Sequence, residues 1–489
     1  MANSDYSAAC SLQAEIGSNV TVTCDNGYVG GGPVTCASDG FFESVLCEVD
    51  PGPCGGAFVV SSQKISNSRE GNFTALANTF SNYDYMGLSV TKVDVDNDGR
   101  AELIMSAYGD DDGGTTRGAL WVFFISQEAV VQSFQKISAT SGDFTASWGG
   151  SDYFGYIVNE FADLEEDGHP EILVGVERDD SGGTDKGLVF IISLSSIGTV
   201  RSFVRISATN SAQLTFWLDN SDYFGYAVAS AGDVDDDGIV DLLVGAPSDA
   251  DSCGDCGAVY IMFLNSTGQP RSHHKVSKSR SWFTAALGTS DFFGSSVASV
   301  GDLNQDGMLD FVAGACYDDD VASGAGAVYI VFLGTWPHDY YVRSHQKISG
   351  TSGGLTATLA TSDLFGRRVL NMGDVNQDGI EDILVSAPYA DDGTTDGGAV
   401  FTLFLTRDGT VQSHQRISRS AGPFTAELRM STHVGFGVAI LGDVNGDLVD
   451  DWLFGFHSFN EPDYVDTGGA LVVFGTGGTL FSITYHLPS

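Results

Sequence analysis

A block of 69 to 72 residues recurs six times along this chain, and each copy sets a crowd of carboxylates beside a short apolar run. The third copy reads "GDVDDDGIVDLLVGAP" from Gly232. Its counterparts are "KVDVDNDGRAELIMSAY" from Lys92, "FADLEEDGHPEILVGVE" from Phe161, "VGDLNQDGMLDFVAGAC" from Val300, "MGDVNQDGIEDILVSAP" from Met372 and "LGDVNGDLVDDWLFGFH" from Leu441. The first carboxylates fall at Asp94, Asp163, Asp233, Asp302, Asp374 and Asp443. Each copy is preceded by an aromatic-glycine signal such as "YFGY" at Tyr153 and Tyr223 or "FFG" at Phe292. Each is followed by a glycine-led run such as "GAVYIMFL" from Gly257, and a fourth segment ("QKIS" at Gln135 and Gln346, "QRIS" at Gln415) follows in most copies.

Four strand-like runs per unit, with no amphipathic helical pattern between them, predict an all-β ring of four-stranded blades. Each blade covers its neighbour's sheet, and closure protects faces that an open array exposes. An open β-solenoid is the rival, but its coils are shorter. The units are read near 83–138, 152–207, 222–277, 291–349, 363–418 and 433–486 of a propeller spanning 55–489. Residues 56–66, "GAFVVSSQKIS", match the fourth segment with no first three strands ahead of them, which predicts a ring-closing strand supplied to the last blade. The tail "GTLFSITYHLPS" competes for that place, so six blades are expected with seven open.

In the third unit, Asp233, Asp235, Asp237 and Asp241 stand at loop positions 1, 3, 5 and 9, with Gly238 at 6 and Ile239 at 7. Alternate side chains of a tight turn converge, position 7 offers a carbonyl, and the last carboxylate closes the shell. Hard oxygen donors with an adaptable coordination number suit Ca²⁺, whereas Mg²⁺ resists full dehydration. The loop is not an EF-hand, since the closing acid comes at 9 rather than 12. The other sets are Asp94, Asp96, Asp98, Glu102 with Arg100 at position 7; Asp163, Glu165, Asp167, Glu171 with His169; Asp302, Asn304, Asp306, Asp310 with Met308; Asp374, Asn376, Asp378, Asp382 with Ile380; and Asp443, Asn445, Asp447, Asp451 with Val449. About six Ca²⁺ ions are therefore expected. Two departures stand out: Glu165 is a longer side chain at position 3, and Leu448 replaces the position-6 glycine of the sixth loop. The competing reading is six solvated acidic hairpins.

Over about residues 55 to 475 the sequence strongly resembles the FG-GAP repeat family, the propeller of integrin alpha-subunit heads. The resemblance rests on "FG" near the first strand, the "DxDxDGxxD" loop, "LLVGAP" at Leu242 to Pro247 and "GAVY" at Gly257 to Tyr260. It implies calcium loops joining the first and second strands on one face. It also implies that the opposite face, built of second-to-third-strand and inter-blade loops, receives partners.

Five of the 8 cysteines (Cys10, Cys24, Cys36, Cys47, Cys54) crowd the first 54 residues, which reads as a small disulfide-rich β module over 1–54 in an oxidising compartment. The stretch from Val20 to Cys47 resembles a sushi, or complement-control, module, and that resemblance implies pairs Cys10–Cys36 and Cys24–Cys47. A zinc site is the competing reading, although no histidine stands nearby. Cys54 and Cys316 are left over, and "CGDC" at Cys253 to Cys256 is read as a local disulfide. Sequons at Asn19, Asn72 and Asn265 point the same way. The start "MANSDYSAAC" has neither a basic nor an apolar leader segment, which leaves a cytosolic protein or a mature secreted form.

A formal charge of −42 excludes an ordinary nucleic-acid binder, and no apolar run reaches membrane-spanning length. The acidic second-to-third-strand loops, such as "YGDDDGGTTRG" at Tyr108 and "ACYDDDVASGAG" at Ala315, are read as solvated turns, with a cation- or amine-binding rim as the alternative. Trp148, Trp217 and Trp282 are read as blade packing or as stacking platforms. His273, His345 and His414 share a repeat position with Phe134 and Phe203, which reads as packing. No G-x-S-x-G, Walker A or H-E-x-x-H motif occurs. The leading expectation is an extracellular calcium-stabilised binding or adhesion module, secreted or at a cell surface, recognising a protein or glycan. A structural subunit of a larger extracellular assembly and a carbohydrate-active enzyme are the alternatives.

Overall fold

The computed structural model describes residues 81–474 apart from 212–213, 252, 337–338, 393–394, 419–432, 447–449 and 458–467. It also describes five earlier strand backbones: Asn19–Val22, Tyr28–Gly30, Gly32–Thr35, Cys47–Val49 and Ser62–Ser66. The chain divides into two units, Met1–Ala57 with Gly478–Leu480, and Phe58–Gly477 with Phe481–Ser489. In the first, Asn19–Val22 pairs antiparallel with Gly32–Thr35, and Tyr28–Gly30 with Cys47–Val49. The sushi resemblance, its cysteine pairs and the tail lie outside the described residues.

The second unit is a six-bladed propeller. Blade one is Met86–Val93, Glu102–Ala107, Ala119–Ile125 and Val131–Ile137. Blade two is Ile157–Glu160, Glu171–Val176, Leu188–Leu194 and Val200–Ser207. Blade three is Ala227–Gly232, Asp241–Ala246, Ala258–Leu264 and Pro270–Ser277. Blade four is Phe293–Gly301, Asp310–Ala315, Ala327–Trp336 and Asp339–Ile348. Blade five is Val369–Gly373, Asp382–Ala387, Ala399–Leu405 and Val411–Ser418. Blade six takes Gly437–Gly442, Asp451–Phe456 and Gly469–Val473 from one end of the chain and Ser62–Ser66 from the other. In that closing pair Gly469 stands opposite Ser66 and Val473 opposite Ser62.

The sheets of blades one to five are meanders of adjacent antiparallel strands in sequence order, and blade six completes the same antiparallel order with Ser62–Ser66 as its fourth strand. Second strands are buried at every position, because a neighbouring blade covers each face; this is why "DLLVGA" and "DILVSA" read as unbroken apolar runs rather than alternating ones. In blades one to five the fourth strands keep an exposed stretch, as outer edges do, and their pairing with the third strand is bulged. The cores lie between blades. One joins blades one and two through Val122, Phe154 and Phe190. Another joins blade six to blade one through Leu453, Val472 and Met105, so the ring shuts at six.

The glycine of "GAVY" and the "FG" phenylalanine make the joint between blades. Phe293 N–H donates to the Cys256 carbonyl at 3.0 Å, and Gly257 bridges Phe293. A Cβ on Gly257 would stand 2.0 Å from the Phe293 carbonyl oxygen, and its φ of +86° lies in the left-handed region. Gly326 and Phe365 repeat the arrangement between blades four and five.

Candidate metal sites

The acidic loops join first to second strands at one end of the blades, and one hydrogen-bond pattern shapes them. In the third loop Asp233, at position 1, accepts the N–H of Asp237 at 3.0 Å and of Gly238 at 2.7 Å. Asp237, at position 5, accepts the N–H of Ile239 at 3.0 Å. Asp241, at position 9 and fully buried, accepts Val234 N–H at 3.0 Å across the loop and Leu264 N–H at 3.0 Å from the third strand. The fourth and fifth loops match: Asp302 accepts from Asp306 and Gly307, Asp374 from Asp378 and Gly379, and Asp310 and Asp382 accept from Leu333 and Leu405. In the second loop Asp163 accepts from Asp167 and Gly168, while Glu171 accepts Leu164 N–H at 2.8 Å. In the first, Asp94 accepts Gly99 N–H at 3.0 Å and Glu102 accepts Val95 N–H at 2.8 Å.

The position-6 glycines have φ between +83° and +89° in the first five loops, and a Cβ on Gly238 would meet nothing within 4 Å. Backbone conformation, and not space, demands glycine there. In the sixth loop Asp447, Leu448 and Val449 lie outside the described residues. Its closing end follows the pattern, buried Asp451 accepting Val444 N–H at 2.9 Å, but its opening end departs from it: Asp443 accepts the N–H of Gly446, at position 4, at 2.6 Å.

Two loops bring three carboxylates together, with one oxygen each of Asp94, Asp96 and Glu102, and of Asp233, Asp235 and Asp237, within 4.8 Å of one another. Asn304 and Asn376 lower the carboxylate count of the fourth and fifth. Glu165 is exposed. Burial, reinforced by the neighbouring loop acids, pushes Glu102 up to about 7, Asp241 to about 6, and Asp310 to about 7; Asp382 rises to about 6 and Glu171 also rises. Buried oxygens of Asp94, Asp235, Glu171 and Asp310 have no hydrogen-bond partner. Clustered, desolvated carboxylates with oxygens to spare fit a hard cation.

Position 7 turns its N–H to the position-5 carboxylate in the first five loops, at 2.8 to 3.1 Å. The side chains there diverge: Arg100 pairs with Asp98 at 2.9 Å, His169 Nδ1 meets the Val95 carbonyl at 3.1 Å, Ile239 and Ile380 pack on inter-blade cores, and Met308 is half-buried.

Sequence reasoning missed three arginines at these loops. Arg201 and Arg271, second in their fourth strands, and Arg343, within the longer fourth strand of blade four, pair with the position-5 acids Asp167 (2.6 Å), Asp237 (2.6 Å) and Asp306 (2.5 Å). Arg271 also reaches Asp235 at 2.9 Å. The signal was present, since blades one and five carry Gln132 and Gln412 there.

At the opposite end, the second-to-third-strand loops keep exposed residues such as Asp111 and Asp319 but are also tied down by ion pairs. Lys136 holds Asp110 and Asp112 at 2.8 and 3.3 Å, Arg205 holds Asp179 at 3.0 Å, and Lys347 holds Asp318 and Asp320 at 2.6 and 2.5 Å. Lys275, itself buried, holds Asp249 at 2.5 Å and Asp251 at 2.7 Å, and Arg416 holds Asp392 at 3.1 Å. These cations are the Lys or Arg of the "QKIS"-type segment, so the loops fold back onto their own blades. A second unread series lies beside them. Asp84, Asp152, Asp222, Asp291 and Asp363, two residues before the "FG" aromatic or its equivalent, are buried and each accepts a backbone N–H three residues upstream. Burial raises all five, Asp84 and Asp222 to about 7 and Asp152 and Asp291 to about 6.

The histidines pack. His273 lies edge-on to Trp217 with centroids 5.4 Å apart, His345 lies against Phe283 at 5.1 Å, and burial lowers His273 to about 4. Trp148 is buried among Phe144 and Phe154, whereas Trp282 is 80% exposed and so does not serve as blade packing. Cys253 and Cys256 form a disulfide, and Cys316 is free and buried.

With this geometry in view, comparison with known proteins is direct. The FG-GAP repeat matches residues 86–123, 224–262, 293–331 and 365–403, the first three strands of blades one, three, four and five. The chain carries FG-GAP repeats. Integrin alpha-5 of Xenopus laevis is 30% identical over 242 residues, 48% of this chain and 20% of that protein. Integrin alpha-IIb of Homo sapiens is 36% identical over 172 residues, 34% of this chain and 15% of that protein. The chain thus spans a fifth or less of these relatives, and its FG-GAP ring is an integrin alpha-like propeller. The crystal structure of rhamnogalacturonan lyase YesW aligns over 96% of this chain and 88% of that one at 13% identity, with a TM-score of 0.36, too low to carry an argument. Among the described residues, no helix is long and apolar enough to cross a membrane.

Proposed function

We propose that this chain is an extracellular binding or adhesion module whose FG-GAP ring is held rigid by Ca²⁺ in its first-to-second-strand loops. The observation that carries this reading is the repeated loop. The same backbone pattern gathers carboxylates at the same place in successive blades, and buried oxygens of Asp94, Asp235, Glu171 and Asp310 are left without donors. Calcium would be held by the side chains at positions 1, 3, 5 and 9, with the carbonyl of position 7. It supplies counter-charge and cross-links loop to strand; it takes part in no reaction step.

The relatives are integrins, and integrin alpha-type rings work outside the cell, where the Cys253–Cys256 disulfide is also at home. The face opposite the metal loops is the proposed recognition surface, and its partner is a protein or a glycan. In blades one to five its acidic turns are each tied to their own blade by a lysine or arginine, and exposed side chains such as Tyr317, 45% exposed beside Phe292, are available for recognition there. The test is an array of glycans and extracellular proteins probed with the isolated chain, in calcium and in chelator. Saturable, calcium-dependent binding supports the reading. Turnover of a polysaccharide, or binding indifferent to chelation, overturns it.

A further inference from the structure

We propose that the propeller axis holds a monatomic anion, halide in class, on the guanidinium group of Arg368, beside the charge of Arg367. The six residues that follow the "FG" glycine or its equivalent form one tier around the axis: Leu88, Tyr156, Tyr226, Ser295, Arg367 and Phe436. Two steps further along each blade stand six valines, Val90, Val158, Val228, Val297, Val369 and Val438. In the tiers above the valines, blade five alone supplies charge. Repeats keep what the ring needs, so a departure confined to one blade marks a local task.

Both arginines are buried, with 4% and 6% of their surface exposed. Arg367 lies over the rings of Tyr226 and Phe436, each 5.1 Å away, and donates from Nη2 to the Tyr156 hydroxyl at 2.8 Å. Its Nη1 has no acceptor, and neither Nε nor Nη2 of Arg368 has one. Among the described residues no carboxylate pairs with either guanidinium. Glu177, whose charge reaches Arg367, is paired with Arg178 at 3.5 Å. Ring faces offset part of the charge on Arg367. Arg368 has no ring contact among the described residues. Two adjacent buried cations with three idle donors are strongly unfavourable without a counter-charge. Among the described residues, none of the chain's acidic side chains forms an ion pair with either of them.

Arg368 lines a cavity of about 30 Å³ on the axis, walled by first-strand residues of all six blades, Ser89, Asn159 and Ser296 among them. That volume holds one or two water-sized bodies. Water would meet the donors but leave both charges; a halide ion meets the donors and removes one of them. The cavity is too small for a carboxylate-bearing peptide or a sugar acid.

The test uses the whole chain in gluconate buffer at fixed ionic strength and saturating calcium, with chloride or bromide titrated in and melting followed by calorimetry. The expected result is a saturable rise in Tm with either halide. In bromide-grown crystals an anomalous peak should stand within hydrogen-bonding distance of Arg368. Arg368→Met should abolish the halide-dependent rise, and Arg367→Lys should weaken it about tenfold in halide concentration. Should Arg368→Met fail to fold, the bromide peak and the wild-type titration still decide. Equal melting in gluconate and chloride, an axis without bromide, or an unchanged halide response in Arg368→Met each overturns the proposal.

Discussion

At the scale of the residue, a loop carboxylate is governed by what else can reach it. Asp237 serves the backbone of Ile239 with one oxygen and Arg271 with the other. An arginine 2.6 Å from a candidate ligand competes with a cation and repels it. Arg271→Gln, the residue type of blades one and five, should therefore tighten calcium at the third loop by about three- to tenfold. Calcium titration of the variant by calorimetry checks this, and weaker binding would mean that the guanidinium orients the site.

Asp222 sets a pH dependence of its own. Its folded value of about 7 stands above the usual 3.8, because burial and the charge on Asp249 disfavour ionisation. Proton uptake by this group stabilises the fold fully at pH values below the unfolded value, and the benefit is lost as pH rises through 7. Asp222→Asn keeps an acceptor for Asp219 N–H while removing the charge. It should raise stability on the order of 1–3 kcal/mol at pH 8 and much less at pH 5. Melting curves at the two pH values, both with calcium, are the check.

At the scale of the element, the blade is legible in the sequence wherever it repeats with a fixed spacing. The four strands, the metal loop and the ring-closing "SQKIS" all follow from recurrence, since a strand buried on both faces must be apolar throughout and a tight acidic turn must have its glycine. Pairings that depend on the chain folding back were not legible. Asp249 and Lys275 are 26 residues apart and look like surface charges until the third strand brings them together. The arginine clips escaped notice because one basic residue in an edge strand resembles ordinary solvation. Arg367 and Arg368 look unremarkable in a linear reading, and only the ring sets Arg367 against Tyr156 and Tyr226 and Arg368 in the axial cavity.

The "GAVY" glycine gives the element its sharpest mechanical prediction. Gly257→Ala drives a Cβ to 2.0 Å from the Phe293 carbonyl oxygen at a φ of +86°. The cost should be on the order of 3 kcal/mol, because the joint between blades three and four must open or shift. Denaturant melts give the value. A loss below about 0.5 kcal/mol would show that the blades move apart freely there.

At the scale of the molecule, a ring of six blades closed by a strand from each end of the chain is as stable as its weakest joint. Every acidic loop stands at a first-to-second-strand turn, tying the inner strand of its blade to the next. Six bound Ca²⁺ would take the formal charge from −42 to −30 and remove repulsion where it is most concentrated. Each ion should add about 2.7 kcal/mol where free calcium is a hundred times its dissociation constant. The direct measurement is a calorimetric scan of the thoroughly demetallated chain against the calcium-loaded one, with elemental analysis of both. Calcium-stabilised loops predict close to six bound ions, a melting temperature that falls sharply on chelation and returns with Ca²⁺, and poor rescue by Mg²⁺. A demetallated chain that melts unchanged and takes up no calcium would contradict the account.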